Sequence, residues 1–236
     1  MRVVAIIPAA GAGRRMGSAV EKQFLHLRGI PILTYTMKVF DQCPAVDGIV
    51  LVVAPQKREI LENEVLGPHP CEKLLSVVDG GPERQDSVAN GLRSIPPECE
   101  LVAVHDGVRP LVSIDLVAAV LETARHHGAA IAAMPAGDTV KQAENQKVVA
   151  TLQRETIWLA QTPQAFHANL LREAYEKAAR DRIVVTDDAA LVERIGVAVH
   201  LVHGSAENIK VTTPADLLLA EAILAGREGS SVDSGH

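Results

Sequence analysis

At 236 residues the chain is long enough for one large α/β domain, and a second independent core is not expected. A net charge of −6, a pI near 5.8 and 3% aromatic residues argue against a protein that tracks nucleic-acid backbones or stacks bases on aromatic platforms. Cys43, Cys71 and Cys99 are isolated and form no zinc or disulfide spacing, no signal-like apolar region precedes the first strand, and the apolar runs are too short to span a bilayer, so the expectation is a cytoplasmic protein that binds neither membrane nor nucleic acid.

The run Val3-Val4-Ala5-Ile6-Ile7 reads as a buried strand. It feeds Pro8-Ala9-Ala10-Gly11-Ala12-Gly13-Arg14-Arg15-Met16-Gly17 and then Glu21-Lys22-Gln23, a loop that ends before Pro31 opens a helical pattern. Glycines and alanines at the carboxyl end of a first strand expose backbone N–H groups to phosphate oxygens, and Arg14, Arg15 and Lys22 add cations against a single acid, Glu21. The dinucleotide fingerprint G-x-G-x-x-G fails because Met16 occupies its third glycine position, and no G-x-x-x-x-G-K-[ST] string occurs. The next strand, Ile49 to Ala54, also ends without the acid that binds a ribose 2′-OH. By itself the segment is either a polyphosphate loop or a glycine-rich turn with solvated arginines.

A βαβ rhythm follows, with helix Pro31 to Phe40, strand Gly48 to Ala54, helix Gln56 to Val65, and a break at Gly67-Pro68-His69-Pro70. Strand Leu74 to Val78, helix Gln85 to Ser94, strand Leu101 to Val104, helix Ile114 to His126 and strand Ala129 to Met134 continue it. Two of its loops carry polar groups. In Asp79-Gly80-Gly81-Pro82-Glu83-Arg84-Gln85-Asp86-Ser87-Val88 the glycine pair allows close approach of a flat ligand and Ser87 offers a hydroxyl, although Ser87 or Asp86 would equally cap an ordinary helix. In Val104-His105-Asp106-Gly107-Val108-Arg109-Pro110 the acid at the strand end suits a hydroxyl or a metal-bound water and Arg109 a phosphate, or the two form a structural pair.

Between Ala136 and Glu155 the rhythm fails, and Thr139-Val140 and Val148-Val149 around Glu144-Asn145-Gln146-Lys147 read as a hairpin turning near Asn145. Such an arm is marginal in water and must lean on something else. Helices His167 to Ala179 and Asp187 to Ile195, strand Ala198 to Val202 and helix Pro214 to Leu224 complete the chain, with 229–236 as a polar tail. The expected fold is α/β, a single Rossmann-like domain over residues 1–236 with a mainly parallel sheet flanked by helices. His126-His127 and the pair His200 and His203 are read as ordinary helix-end and strand-end residues, not as a zinc site.

The first loop resembles the signature A-A-G-x-G-x-R-M, followed by a lysine, of sugar-phosphate nucleotidyltransferases, and its detailed form is similar to the 2-C-methyl-D-erythritol 4-phosphate cytidylyltransferase family. The motifs run in family order from residue 8 to residue 212. The resemblance implies transfer of CMP from CTP to a polyol phosphate with release of pyrophosphate, using Mg²⁺ held mainly by the substrate phosphates. It implies catalytic roles for Arg15, Lys22 and, in Asn208-Ile209-Lys210-Val211-Thr212, Lys210. Nucleotide binding falls to Pro8, Ala9, Ala10, Gly11, Gly13, Gly81, Ser87, Asp106 and Gly107, and acceptor binding to Asp106, Arg109, Thr139, Arg154 and Thr162. It further implies that the arm at 136–155 reaches across a twofold axis in a homodimer. Pro82, Glu21, Gly107 and Val108 depart from the usual pattern. A ribitol-5-phosphate cytidylyltransferase and a non-catalytic nucleotide-binding module on the same fold are the alternatives.

Overall fold

The computed structural model describes residues 2–11 and 22–232. Strand β1 (Arg2–Pro8) is followed by the short strands β2 (His26–Leu27) and β3 (Ile30–Pro31), helix α1 (Ile32–Gln42), strand β4 (Gly48–Val53), the one-turn helix α2 (Arg58–Leu61), strand β5 (Leu74–Asp79) and helix α3 (Arg84–Ser94). Strand β6 (Cys99–Val104), helix α4 (Ile114–His127) and strand β7 (Ala129–Pro135) precede the hairpin β8 (Lys141–Glu144) and β9 (Lys147–Thr151). The rest is strand β10 (Trp158–His167), helices α5 (Ala168–Asp181) and α6 (Asp188–Arg194), strand β11 (His200–His203) and helix α7 (Pro214–Val232).

Seven strands form one sheet in the order β11-β7-β10-β6-β1-β4-β5. All neighbours are parallel except β10, which runs antiparallel to both β6 and β7. The continuous apolar runs make sense in this setting, because a sheet covered on both faces wants apolar side chains on each. Along β1, Val3, Ala5 and Ile7 face one core with Leu33, Met37 and Phe40 of α1 and Val117 and Val120 of α4. Val4 and Ile6 face the other, with Val88 of α3, Leu171 of α5 and Leu191 of α6.

Several elements differ from the sequence reading, among them the short strands β2 and β3 and the first hairpin strand, which starts at Lys141 and not at Thr139-Val140. Strand β10 was not anticipated, since Gln161, Pro163 and Gln164 break its apolar pattern and a proline argues against a central strand. The register shift between Ala160 and Gln164 is the irregularity that accommodates the proline. The helix expected over 56–65 is instead a 3-10 turn (Pro55–Lys57), α2 and a wide π turn (Glu62–Leu66) closed by the bond from Gly67 N to Glu62 O, 2.8 Å. Helix α7 continues to Val232, past both Leu224 and the start of the expected tail, and residues 233–236 lie outside the described residues.

The hairpin turns at Asn145 and Gln146, both at positive φ (49° and 64°), the backbone a two-residue primed turn requires. Its strands are almost wholly exposed.

Candidate active site

The sheet order reverses at β1. The chain leaves it for β4 and β5 on one side and returns to β6 on the other, which opens a crevice at the carboxyl ends of β1 and β6. A cavity of about 390 Å³ fills that crevice. Pro8, Ala9, Ala10 and Gly11 wall it from β1, and Gly81, Pro82, Glu83, Arg84 and Ser87 from the loop after β5. Asp106, Lys210 and Lys22 add its charged walls.

Each wall has a local cause. Ala9 N donates to Val52 O at 2.7 Å and Ala9 O accepts from the buried Gln23 side chain at 2.8 Å, so the two ends of the glycine-rich loop are tied together. Gln23 and Phe24 are buried in the 3-10 turn Lys22–Phe24, which sets Lys22 at the cavity edge. Helix α3 opens with a capping box in which Glu83 and Asp86 exchange side-chain and backbone bonds, the latter from Glu83 N to Asp86 Oδ2 at 3.2 Å. The cap is thus Glu83, not Ser87 or Asp86. Ser87 faces the loop: its oxygen accepts from Gly81 N at 3.1 Å and its proton goes to Glu83 O at 3.1 Å. A Cβ on Gly81 would sit 2.3 Å from Asp86 Cβ, so only glycine lets the loop fold onto the helix.

Asp106 is the electrostatic centre. Its carboxylate pairs with Lys210 Nζ at 2.7 Å, with Arg84 Nε at 3.0 Å and more loosely with Arg109 Nε at 3.8 Å. Burial pushes its pKa up, but Arg84, Lys210 and Arg109 outweigh burial and hold it far below the usual carboxylate range. Arg84 also grips the buried Asp188 at 2.9 Å, and Asp188 accepts from the Tyr175 hydroxyl. Burial opposes the Arg84 charge, while Asp188 and Asp106 more than restore it and raise its pKa.

The loop bearing Lys210 is placed by its neighbours. Buried Asn208 donates from Nδ2 to Thr162 O at 2.8 Å, and Val211 N donates to Val108 O at 2.9 Å.

Of the residues implicated by sequence, Pro8, Ala9, Ala10, Gly11, Lys22, Gly81, Ser87, Asp106 and Lys210 are brought together at this cavity. Gly13 and Arg15, like Arg14 and Glu21, lie outside the described residues. Gly107 is just beneath, its N–H on Pro8 O at 3.2 Å and its carbonyl accepting from Thr36 at 3.1 Å. Arg109 is directed at Asn208 O, 2.7 Å from Nη1, and Thr162 Oγ1 accepts from Asp106 N at 3.1 Å, so both brace the site from below. Thr139 and Arg154 stand on the exposed arm and are not among the residues lining the cavity; Arg154 donates to Gly137 O at 3.1 Å.

Sequence reasoning missed Arg84 and Asp188. A signal was present, because a cation in the first turn of α3 opposes the helix dipole and therefore demands nearby acids. Which acids answer is a matter of tertiary structure. Among the described residues, no group of three or more His, Cys, Asp or Glu could hold a metal ion, and the oxygens of Asp106 are already engaged by cations.

The family described as 2-C-methyl-D-erythritol 4-phosphate cytidylyltransferase matches residues 3–226. A relative of that name from Syntrophus aciditrophicus is 48% identical over 229 residues, covering 97% of this chain and 98% of its own. One from Geobacter metallireducens is 47% identical over 227 residues, covering 95% and 98%. Among solved structures, a 4-diphosphocytidyl-2C-methyl-D-erythritol synthase from Anaerococcus prevotii superposes with a TM-score of 0.84 at 33% identity over 95% of this chain and 96% of that one. The Thermus thermophilus cytidylyltransferase gives 0.76 at 38% identity over 94% and 98%. With the crevice, the Asp106 cluster and this near-complete coverage in agreement, the chain belongs to the 2-C-methyl-D-erythritol 4-phosphate cytidylyltransferase family.

Proposed function

We propose that the protein transfers CMP from CTP to 2-C-methyl-D-erythritol 4-phosphate, giving 4-diphosphocytidyl-2-C-methyl-D-erythritol and pyrophosphate, in the cytoplasm as a step of isoprenoid precursor synthesis. The observation that carries this reading is Asp106, just after β6, holding Lys210 and Arg84 in a cavity walled by Ala9, Ala10 and Gly11.

The acceptor phosphate oxygen is already a nucleophile, so it attacks the α-phosphorus directly and pyrophosphate leaves in line, with neither a general base nor a covalent intermediate. The barrier is the repulsion between two polyanions. Lys22 and Lys210 supply cations at the cavity, and Arg15 is assigned to the same task by family resemblance. Magnesium, when bound with the nucleotide phosphates, neutralises further charge. Ser87 accepts one hydrogen bond from Gly81 and donates its proton to Glu83, which leaves a lone pair suited to the exocyclic amine of cytosine and not to the carbonyl of uracil.

The acceptor is assigned to Asp106, braced by Arg109 and Thr162, and to Thr139 and Arg154 from the arm of a second copy in a homodimer. Exposed Val148 and Val149 on an arm with no core of its own support that reading. Two experiments test the proposal. Pyrophosphate release across a panel of nucleotides and polyol phosphates should prefer CTP with the methylerythritol phosphate; equal turnover with ATP, or preference for ribitol 5-phosphate, would refute it. Mixing inactive Lys22→Ala and Arg154→Ala after reversible dissociation should restore roughly a quarter of the sites. Activity that stays at the level of the separate variants, in a sample containing heterodimers, overturns the shared site.

A further inference from the structure

We propose that His105 is a positioning residue for the transfer: held as the neutral Nε2–H tautomer, it sets the place of Asp106 and Lys210 through a closed ring of hydrogen bonds with Thr162, Asn208 and Arg109.

The bonds have a fixed direction. His105 Nε2 lies 3.2 Å from the carbonyl of Arg109, which can only accept, so Nε2 carries a proton. The ring is fully buried beside Phe40, with centroids 4.9 Å apart, and burial pushes its pKa down to about 4. The imidazole is therefore neutral and Nδ1 is bare. Thr162 Oγ1, 3.0 Å away, must donate its one proton to Nδ1. That leaves the Thr162 oxygen as an acceptor, which is what the N–H of Asp106 meets at 3.1 Å.

The ring then closes. Asn208 Nδ2 donates to Thr162 O at 2.8 Å, and Arg109 Nη1 donates to Asn208 O at 2.7 Å. Three segments distant in sequence, 105–109, 162 and 208, are thereby locked together, and the charged residues they hold at the cavity, Asp106 and Lys210, lie 2.7 Å apart. Reversing the His105 tautomer would set Nδ1–H on the Thr162 oxygen, leave the hydroxyl proton without its Nδ1 acceptor, and remove the bond from Nε2 to the Arg109 carbonyl. The carboxylate and the ammonium would lose their common frame.

This inference rests on the cytidylyl-transfer reading only for its activity readout, and its spectroscopic readout is independent of it. In the wild-type protein, long-range ¹H–¹⁵N spectra of the nine histidines, with His105 assigned from the His105→Asn variant, should show protonated Nε2, bare Nδ1 and no titration between about pH 8 and 5.5. A protonated Nδ1, or a titration near the free imidazole value, overturns the proposal even if activity is normal.

For activity, His105→Phe keeps the ring packing and loses both bonds, and kcat should fall roughly tenfold to a hundredfold while CTP affinity, measured by direct binding, changes far less. His105→Asn places an amide oxygen where Nδ1 was and should recover part of the loss. In a cycle with Thr162→Val, the combined loss should fall well short of the product of the single losses. Full kcat in folded His105→Phe, no advantage of Asn over Phe, or independent losses in the cycle would each refute it. Should His105→Phe fail to fold, the wild-type spectra still decide. An inactive wild type with the expected tautomer would count against the substrate reading and not against His105.

Discussion

Arg84 carries more of the site than its unremarked place in the sequence suggests, since it bridges two acids from different elements, Asp106 after β6 and Asp188 in α6. Removing it strands a carboxylate on Asp188, which is 1% exposed. Arg84→Met should therefore cost about 3 kcal/mol in a urea unfolding series, and Arg84→Met with Asp188→Asn should cost clearly less. The pH dependence has a definite sign. His105 has a depressed pKa in the folded state, so the unfolded chain binds its proton first and stability falls as pH drops from about 6.5 to about 4. Asp106 is also depressed; its contribution is complete above the unfolded value of about 4 and is lost below it. The unfolding midpoint should thus decline in two stages, and His105→Asn should flatten only the first. Ser87→Ala removes the acceptor offered to the base, and discrimination of CTP over UTP should drop roughly tenfold or more in competitive kcat/KM measurements.

At the scale of elements, the site depends on how helices and strands end. The capping box of α3 turns the chain sharply after Gly80-Gly81, and the clash of a new Cβ on Gly81 with Asp86 would open it. Gly81→Ala should cost about 1 kcal/mol of stability and raise KM for CTP, both measurable on the same preparation. The hairpin β8–β9 shows the opposite case, an element with ladder bonds but no core. On the proposed homodimer its exposed valines should matter only in the assembly: Val148→Glu should leave the melting temperature of the protomer nearly unchanged while sedimentation velocity shifts towards the monomer and acceptor turnover drops.

For the molecule as a whole, the sheet sandwiched between two helical layers is a rigid platform, and the loops at the carboxyl ends of its strands carry the chemistry. Binding should therefore stabilise the fold by mass action without rebuilding it. Nucleotide with magnesium at a hundred times its Kd should add about 2.7 kcal/mol to the unfolding free energy, read as a rise in Tm, and Lys22→Ala should keep most of that rise if Lys22 acts chiefly on the transition state. Among the described residues no helix is long and apolar enough to cross a membrane.

What the sequence determined by itself was everything encoded in local period and local chemistry. The apolar runs of β1 and β4 announced strands buried on both faces, and Asn145 announced its turn. The helix interiors were legible for the same reason, since a 3.6-residue period is written in consecutive residues. What only the tertiary structure decided was everything that depends on distant segments meeting. Strand β10 is placed by its neighbours β6 and β7 against its own proline. Arg84 acquires its purpose from Asp188, 104 residues away, and Lys210 from Asp106 in the loop after β6. Ionic and hydrogen-bonded partners have no sequence period, so a buried carboxylate, its cations and the histidine beneath them become a site only when the sheet brings their loops to one edge.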